Sequence, residues 1–104
     1  MVLTEKTLII AVKSNCDGCR ALVESSLNEL AIVEVIVVSA DDIGYDEWII
    51  QQPIFIAPDV LTAFDIRWPP FYVVVDPLSA SVVVEGVVFG PEQIAAEIAP
   101  FLNP

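Results

Sequence analysis

The sequence predicts an α/β fold: a mixed sheet of four to five strands flanked by helices, with residues 1–104 forming a single domain. Three observations carry that expectation. Two β-branched apolar runs, 7–12 and 33–38, enclose a stretch with helical apolar spacing, and a strand, short helix and second strand close as a right-handed parallel crossover. Two valine-rich runs, 71–75 and 81–88, are separated by the turn-forming residues 76–80, a spacing that pairs them antiparallel. A proline-started amphipathic segment then ends the chain.

Residues 7–12 read as a strand buried on both faces, because nearly every position is apolar. Residues 19–30 read as one helix, with Cys19, Leu22, Val23, Ser26, Leu27 and Leu30 on a single face. After the strand at 33–38, residues 46–52 are expected to make a short helix that Pro53 stops. A short strand follows at 54–57, and Pro58-Asp59 opens a helix with Val60, Leu61 and Phe64 on its apolar side. In the last helix Gly90 is the cap and Pro91 the first helical residue. Ile94, Ala95, Ile98, Phe101 and Leu102 form its apolar face, and Pro100, which has no N–H, should end or kink it near Ala99.

Of the 104 residues 56% are hydrophobic, enough for a large core, yet no run approaches the roughly 18 apolar residues that span a bilayer. Fifteen acidic residues face only Lys6, Lys13, Arg20 and Arg67, a formal net charge of −11 that disfavours nucleic acid as a partner. This charge reads as a solvated acidic surface that keeps an apolar protein soluble. Asp41, Asp42, Asp46 and Glu47 lack the spacing of a calcium loop. With no histidine and two cysteines, neither a usual Cys/His zinc site within one chain nor histidine acid–base catalysis can be built. Glu5 precedes the first apolar stretch, which argues against an export signal, so the expected location is cytoplasmic.

The chemistry-bearing motif is Cys16-Asp17-Gly18-Cys19, at the junction of the first strand and first helix. There, backbone amides and the helix dipole stabilise a thiolate. Disulfide exchange needs an exposed thiolate that attacks and a second thiol that resolves the mixed disulfide, roles that suit Cys16 and Cys19 respectively. Gly18 allows the tight turn. Asp17 beside the attacking sulfur opposes thiolate formation, an effect that Lys13 and Arg20 offset in part; a disfavoured thiolate points to a reducing couple. Two small, partly buried thiols without turnover remain the bland alternative.

The stretch Phe64-Asp65-Ile66-Arg67-Trp68-Pro69-Pro70-Phe71-Tyr72 resembles the thioredoxin segment Y-G-I-R-G-I-P-T-L, and the resemblance to the thioredoxin-like superfamily extends over residues 7–102. The extra strand and helix at 54–65, with Pro70 to Asp76 ending like P-T-T-F-L-I-D, are similar to the cytochrome-maturation and methylamine-utilisation accessory type. The resemblance implies a cis-proline at Pro70 facing a redox-active Cys16–Cys19 pair, with no bound cofactor. It implies a thiol–disulfide oxidoreductase acting on protein or small-molecule disulfides, with electrons from a separate reductase. Substrate would lie along Trp68, Pro69 and Pro70, although Pro69 lacks the N–H that the family uses to pair with substrate. Trp68 is either a substrate contact or a packed surface aromatic, and Arg67 either a solvated charge or a cation near the Cys16 thiolate. Asn15 stands where thioredoxins have Trp, and Ile10 where they have a buried Asp that moves the resolving thiol's proton. Those departures leave a redox-inactive binding or scaffold module as the alternative, and a metal held by the cysteines of two chains as a distant third.

Overall fold

The computed structural model describes residues 6–102, so the reading of the chain's start from Glu5 lies outside the described residues. The elements run β1 (Thr7–Val12), α1 (Asp17–Glu24), a 3-10 turn (Asn28–Leu30), β2 (Glu34–Ser39), β3 (Ile54–Ile56), α2 (Pro58–Ala63), β4 (Phe71–Asp76), β5 (Ser81–Val87) and α3 (Pro91–Leu102). The five strands form one mixed sheet in the order β3-β2-β1-β4-β5. β1, β2 and β3 are parallel, and β4 runs antiparallel to both β1 and β5.

Alternation along the central strand divides the core into two layers. Leu8, Ile10 and Val12 face α1 and α3 through Cys19, Leu22, Val23, Ile94, Ile98 and Leu102. Ile9 and Ala11 face the other way, in a layer with Val73 and Val75 that packs against Val60 and Leu61 of α2 and Phe64 just after it. The near-continuous apolar character of β1 therefore follows from cover on both faces.

Three local expectations are corrected. The single helix expected over 19–30 is two pieces, because Ser25 turns extended and its hydroxyl donates to the Leu22 carbonyl at 2.6 Å. Ser26 Oγ then accepts the Asn28 N–H at 3.2 Å, so both serines compete with the helical backbone and end α1 at Glu24. Residues 46–52 form no helix. Their donors go instead to α1: Ile49 N–H to Glu24 Oε2 at 2.9 Å, and both Gln51 N–H and the Gln52 amide to the Val23 carbonyl at 2.9 and 3.0 Å. The third correction is at Pro100, which does not end α3 at Ala99; the helix runs to Leu102. A proline in the last turn forfeits one backbone bond, and burial of Ile98 and Leu102 on either side holds the turn in place.

The start of α3 forms as its sequence predicts, since the Ile94 N–H bonds to the Gly90 carbonyl and Pro91 sits first. Gln93 Oε1 reaches back to accept from Phe89 and Gly90 N–H at 2.8 and 3.3 Å, half of a capping box. Across the sheet, Tyr72 passes over Gly86 and donates to Glu97 Oε1 at 2.6 Å, tying β4 to α3. A Cβ at Gly86 would stand 3.0 Å from the Tyr72 ring, so the bare backbone there makes room for that link.

Ile98 is fully buried and Phe89 is 83% exposed. Ile98→Ala is expected to lower unfolding free energy by about 2–5 kcal/mol in urea denaturation. Phe89→Ala should change it by no more than about 0.5 kcal/mol.

Candidate functional site

β1 ends at Val12, and Cys16 is the N-cap of α1 in extended conformation (φ −144°, ψ 110°). Its Sγ occupies the place of a capping oxygen, accepting the Cys19 N–H at 3.1 Å. That amide is one of the first-turn donors of α1, so the Cys16 sulfur sits at the helix N-terminus. Asp17 and Gly18 are exposed in the first turn.

Cys19, one turn on, is fully buried beside Leu22 and Val23, and its Sγ accepts the Lys13 N–H at 3.4 Å. Burial, followed by the hydrogen bond with Cys16, pushes its thiol up to about 12, while the Lys13 amide and charge pull the other way. Ile10 is also fully buried in this layer, so no acid stands at that position to take the Cys19 proton. No disulfide joins the two: Cys16 is half-buried and Cys19 is buried.

The antiparallel register places Ala11 opposite Phe71, so the residues leading into β4 arrive beside the thiol turn. The Pro69–Pro70 peptide bond is cis, and a Cβ on Gly18 would lie 3.9 Å from Pro70 Cγ. Trp68 is 78% exposed and lines a shallow hollow with Asp65, Arg67 and Phe71. Arg67 Nε is 2.8 Å from Asp65 Oδ1, so its charge is engaged by that exposed carboxylate. On the other flank, a cavity of about 250 Å³ opens between Gly18, Ala21 and Leu22 of α1 and the Val88, Phe89 and Pro91 segment. No group of three or more metal-ligating side chains occurs among the described residues, and none of their helices is long and apolar enough to cross a membrane.

The loop after β2 contributes residues that sequence reasoning passed over. Gly44 (φ 92°) packs against Ser14 of the thiol loop, where a Cβ would stand 2.8 Å from the serine's Cβ. Tyr45 follows, its ring edge-on to Trp48 with centroids 4.7 Å apart and its hydroxyl 2.7 Å from Ser39 Oγ. Burial holds the Tyr45 phenol above its ordinary value; the Ser39 hydrogen bond opposes this, and charge at Cys19, Asp41 and Cys16 reinforces it. Arg20 Nη2 donates to the Glu47 carbonyl at 3.3 Å, strapping the loop to α1. The aromatic pair flanking an acidic dipeptide, with glycine before it, was the signal available in the sequence.

No protein-family model and no curated protein matches the chain. Solved structures do match, with the thioredoxin fold. The reduced N-terminal domain of PilB from N. meningitidis superposes with TM-score 0.66 at 13% identity, covering 96% of this chain and 83% of that one. The thioredoxin domain of a thiol-disulfide oxidoreductase from Bacteroides vulgatus gives TM-score 0.66 at 18% identity over 97% and 81% of the two chains. A thioredoxin-like protein from Bacteroides caccae gives 0.58 at 12% identity over 95% of this chain and 41% of its own. The architecture is thioredoxin-like, with the Cys16 and Cys19 pair in its first βα turn.

The unequal burial of the two thiols has a direct readout. Iodoacetamide is expected to label Cys16 alone in the native reduced protein and both thiols in denaturant; double labelling of native protein would contradict the buried position of Cys19. The raised Cys19 value gives a second. Stability associated with the neutral thiol is fully present below the ordinary 9.0 and is lost as pH rises through about 12. Reduced wild type should therefore lose more stability than Cys19→Ala between neutral and strongly alkaline pH, measured by urea denaturation.

Proposed function

We propose that this protein is a thiol–disulfide oxidoreductase in which Cys16 attacks a substrate disulfide and Cys19 resolves the intermediate. The observation that carries this reading is the asymmetry of the pair: Cys16 Sγ caps a helix and accepts an amide, whereas Cys19 is sealed behind it. A sulfur at a helix N-terminus is the better nucleophile at neutral pH, and a buried neighbour one turn along is placed to react only with what that nucleophile has captured.

The exchange balances in two displacements. The Cys16 thiolate attacks one sulfur of the substrate disulfide, forming a Cys16–substrate disulfide and releasing the first substrate thiolate. Cys19 then gives up its proton and attacks Cys16 Sγ, forming the Cys16–Cys19 disulfide, and the second substrate thiolate leaves and is protonated. The substrate gains two electrons and two protons. A separate reductase then supplies two further electrons and two protons that convert the Cys16–Cys19 disulfide back to the dithiol.

A high-lying Cys19 thiol favours the reducing direction, because burial disfavours its thiolate and the Lys13 amide and charge offset that only in part. That direction suits a cytoplasmic setting. Trp68, Pro69 and Pro70 would receive an extended segment of a protein substrate or the body of a small disulfide. Pro69 offers it only a carbonyl. The likeness in fold to the thioredoxin domain of a thiol-disulfide oxidoreductase from Bacteroides vulgatus supports the same reading. A second reading, a redox-inactive binding module, draws on buried Ile10 and donorless Pro69, and it requires binding that survives replacement of both cysteines by serine.

Cys16→Ser is expected to abolish reduction of a disulfide substrate. Cys19→Ser should accumulate mixed disulfides, seen as added substrate mass that reductant removes. Wild type that never turns over a disulfide when supplied with excess dithiol would overturn the proposal.

A further inference from the structure

The acidic side chains of this molecule converge on its attacking sulfur. β1 and β2 end, and β4 begins, at one end of the sheet, so the segments that join them meet there. Ser14 of the thiol loop abuts Gly44, and Arg20 of α1 donates to the Glu47 carbonyl at 3.3 Å. Those two contacts set the loop carrying Asp41, Asp42, Asp46 and Glu47 along one side of the thiol turn. Asp17 follows Cys16 directly in the chain, and on the other flank Pro91, which lines a cavity with Gly18, is followed by Glu92. All of these carboxylates are exposed. The cations at this end do not balance them. Arg67 is engaged by Asp65 at 2.8 Å and Arg20 by Glu24 at 3.0 Å, while Lys13 presents its amide to the Cys19 sulfur.

We infer that this field selects the substrate. Cys16 takes disulfides that carry positive charge beside their sulfurs, a basic polypeptide segment in the first place, and discriminates against anionic ones; Asp17 is the specificity-determining residue nearest the reacting sulfur. Such selection needs no contact, because a charge is felt over about 10 Å at 0.1 M salt, and any disulfide that reaches Cys16 Sγ comes within that distance of the adjoining residue. Charge spread evenly over a surface confers solubility alone, whereas like charges gathered about a nucleophile raise the local concentration of opposite charge and change association rates tenfold or more. Trp68, 78% exposed beside Pro69, adds an indole face of the kind on which lysine and arginine side chains rest. The inference rests on Cys16 as the attacking sulfur of the proposed exchange and names the substrate class of that site.

Its test uses a matched pair of methanethiosulfonates, one ending in trimethylammonium and one in sulfonate. The Cys16 thiolate attacks the sulfenyl sulfur of either reagent, forming a mixed disulfide and releasing methanesulfinate, so the first displacement is copied without a natural substrate. In Cys19→Ala the adduct persists and is followed by mass. The ratio of cationic to anionic rates, divided by the same ratio for the neutral thiol N-acetylcysteine amide, cancels the intrinsic reactivity of the sulfur. This normalised ratio should exceed about tenfold at about 20 mM salt and fall toward one at about 1 M, where charges are felt over only about 3 Å. Asp17→Asn should lower it about fourfold at low salt. Glu34→Gln removes the same charge at the opposite end of the sheet, where Glu34 pairs with Thr7, and should lower it less than about twofold. If Asp17→Asn does not fold, Asp17→Ser makes the same removal, and the salt dependence needs neither. A normalised ratio near one, a ratio that salt leaves unchanged, or equal effects of the Asp17 and Glu34 substitutions would overturn the inference. Disulfide turnover with no charge preference would overturn it while leaving the proposed function standing; a cation preference in a protein that turns over no disulfide would sink the proposed function and leave the selectivity of Cys16 in place.

Discussion

Where β1 and β4 pair antiparallel, Ala11 lies opposite Phe71, and that register brings two distant parts of the chain to the same end of the sheet. β1 leaves its last residue there to enter the thiol turn, and β4 begins there immediately after Pro70. Gly18 and Pro70 come close because their strands are held in this alignment by packing on both faces, with Leu8 and Ile10 to one side and Ile9 and Ala11 to the other. A slip of one residue would exchange those two sets, exposing apolar side chains to the wrong layer. The site is therefore as secure as the core, although its own residues are largely at the surface.

Much of this was legible in the chain. The bounds of β1, the paired β4 and β5, and the capped start of α3 follow from β-branched runs, turn formers and the Gly90-Pro91 step, all of which act over a few residues. What the chain concealed depends on partners far along it. Residues 46–52 have a plausible helical pattern, but their amides are drawn to the Glu24 carboxylate and the Val23 carbonyl at the open end of α1. The early end of α1 and the course of that loop are thus two sides of one event. Tyr45 and Ser39 were passed over for the same reason, since a tyrosine in an acidic loop has no local mark of being folded back onto a buried serine.

Electrostatics contributes little to holding this fold together and much to arranging its chemistry. The Arg20–Glu24 and Arg67–Asp65 pairs are substantially exposed, where ion pairs are screened by water, and most of the acidic side chains lie at the surface. The sheet is stabilised instead by apolar side chains that exclude water from both faces. At the dithiol the same exclusion becomes specific, because one sulfur is left half-open at a helix terminus and its neighbour is sealed into the core.

That difference orders the reaction. In the proposed exchange, if both thiols ionised readily, either could attack a substrate disulfide, and attack and resolution would have no fixed order. Here burial raises the Cys19 thiol, so in the proposed exchange the exposed sulfur reacts first and the buried one second. With Ile10 in the apolar layer, a carboxylate there would have to be desolvated in the heart of the core, at a cost comparable to what it would gain as a base.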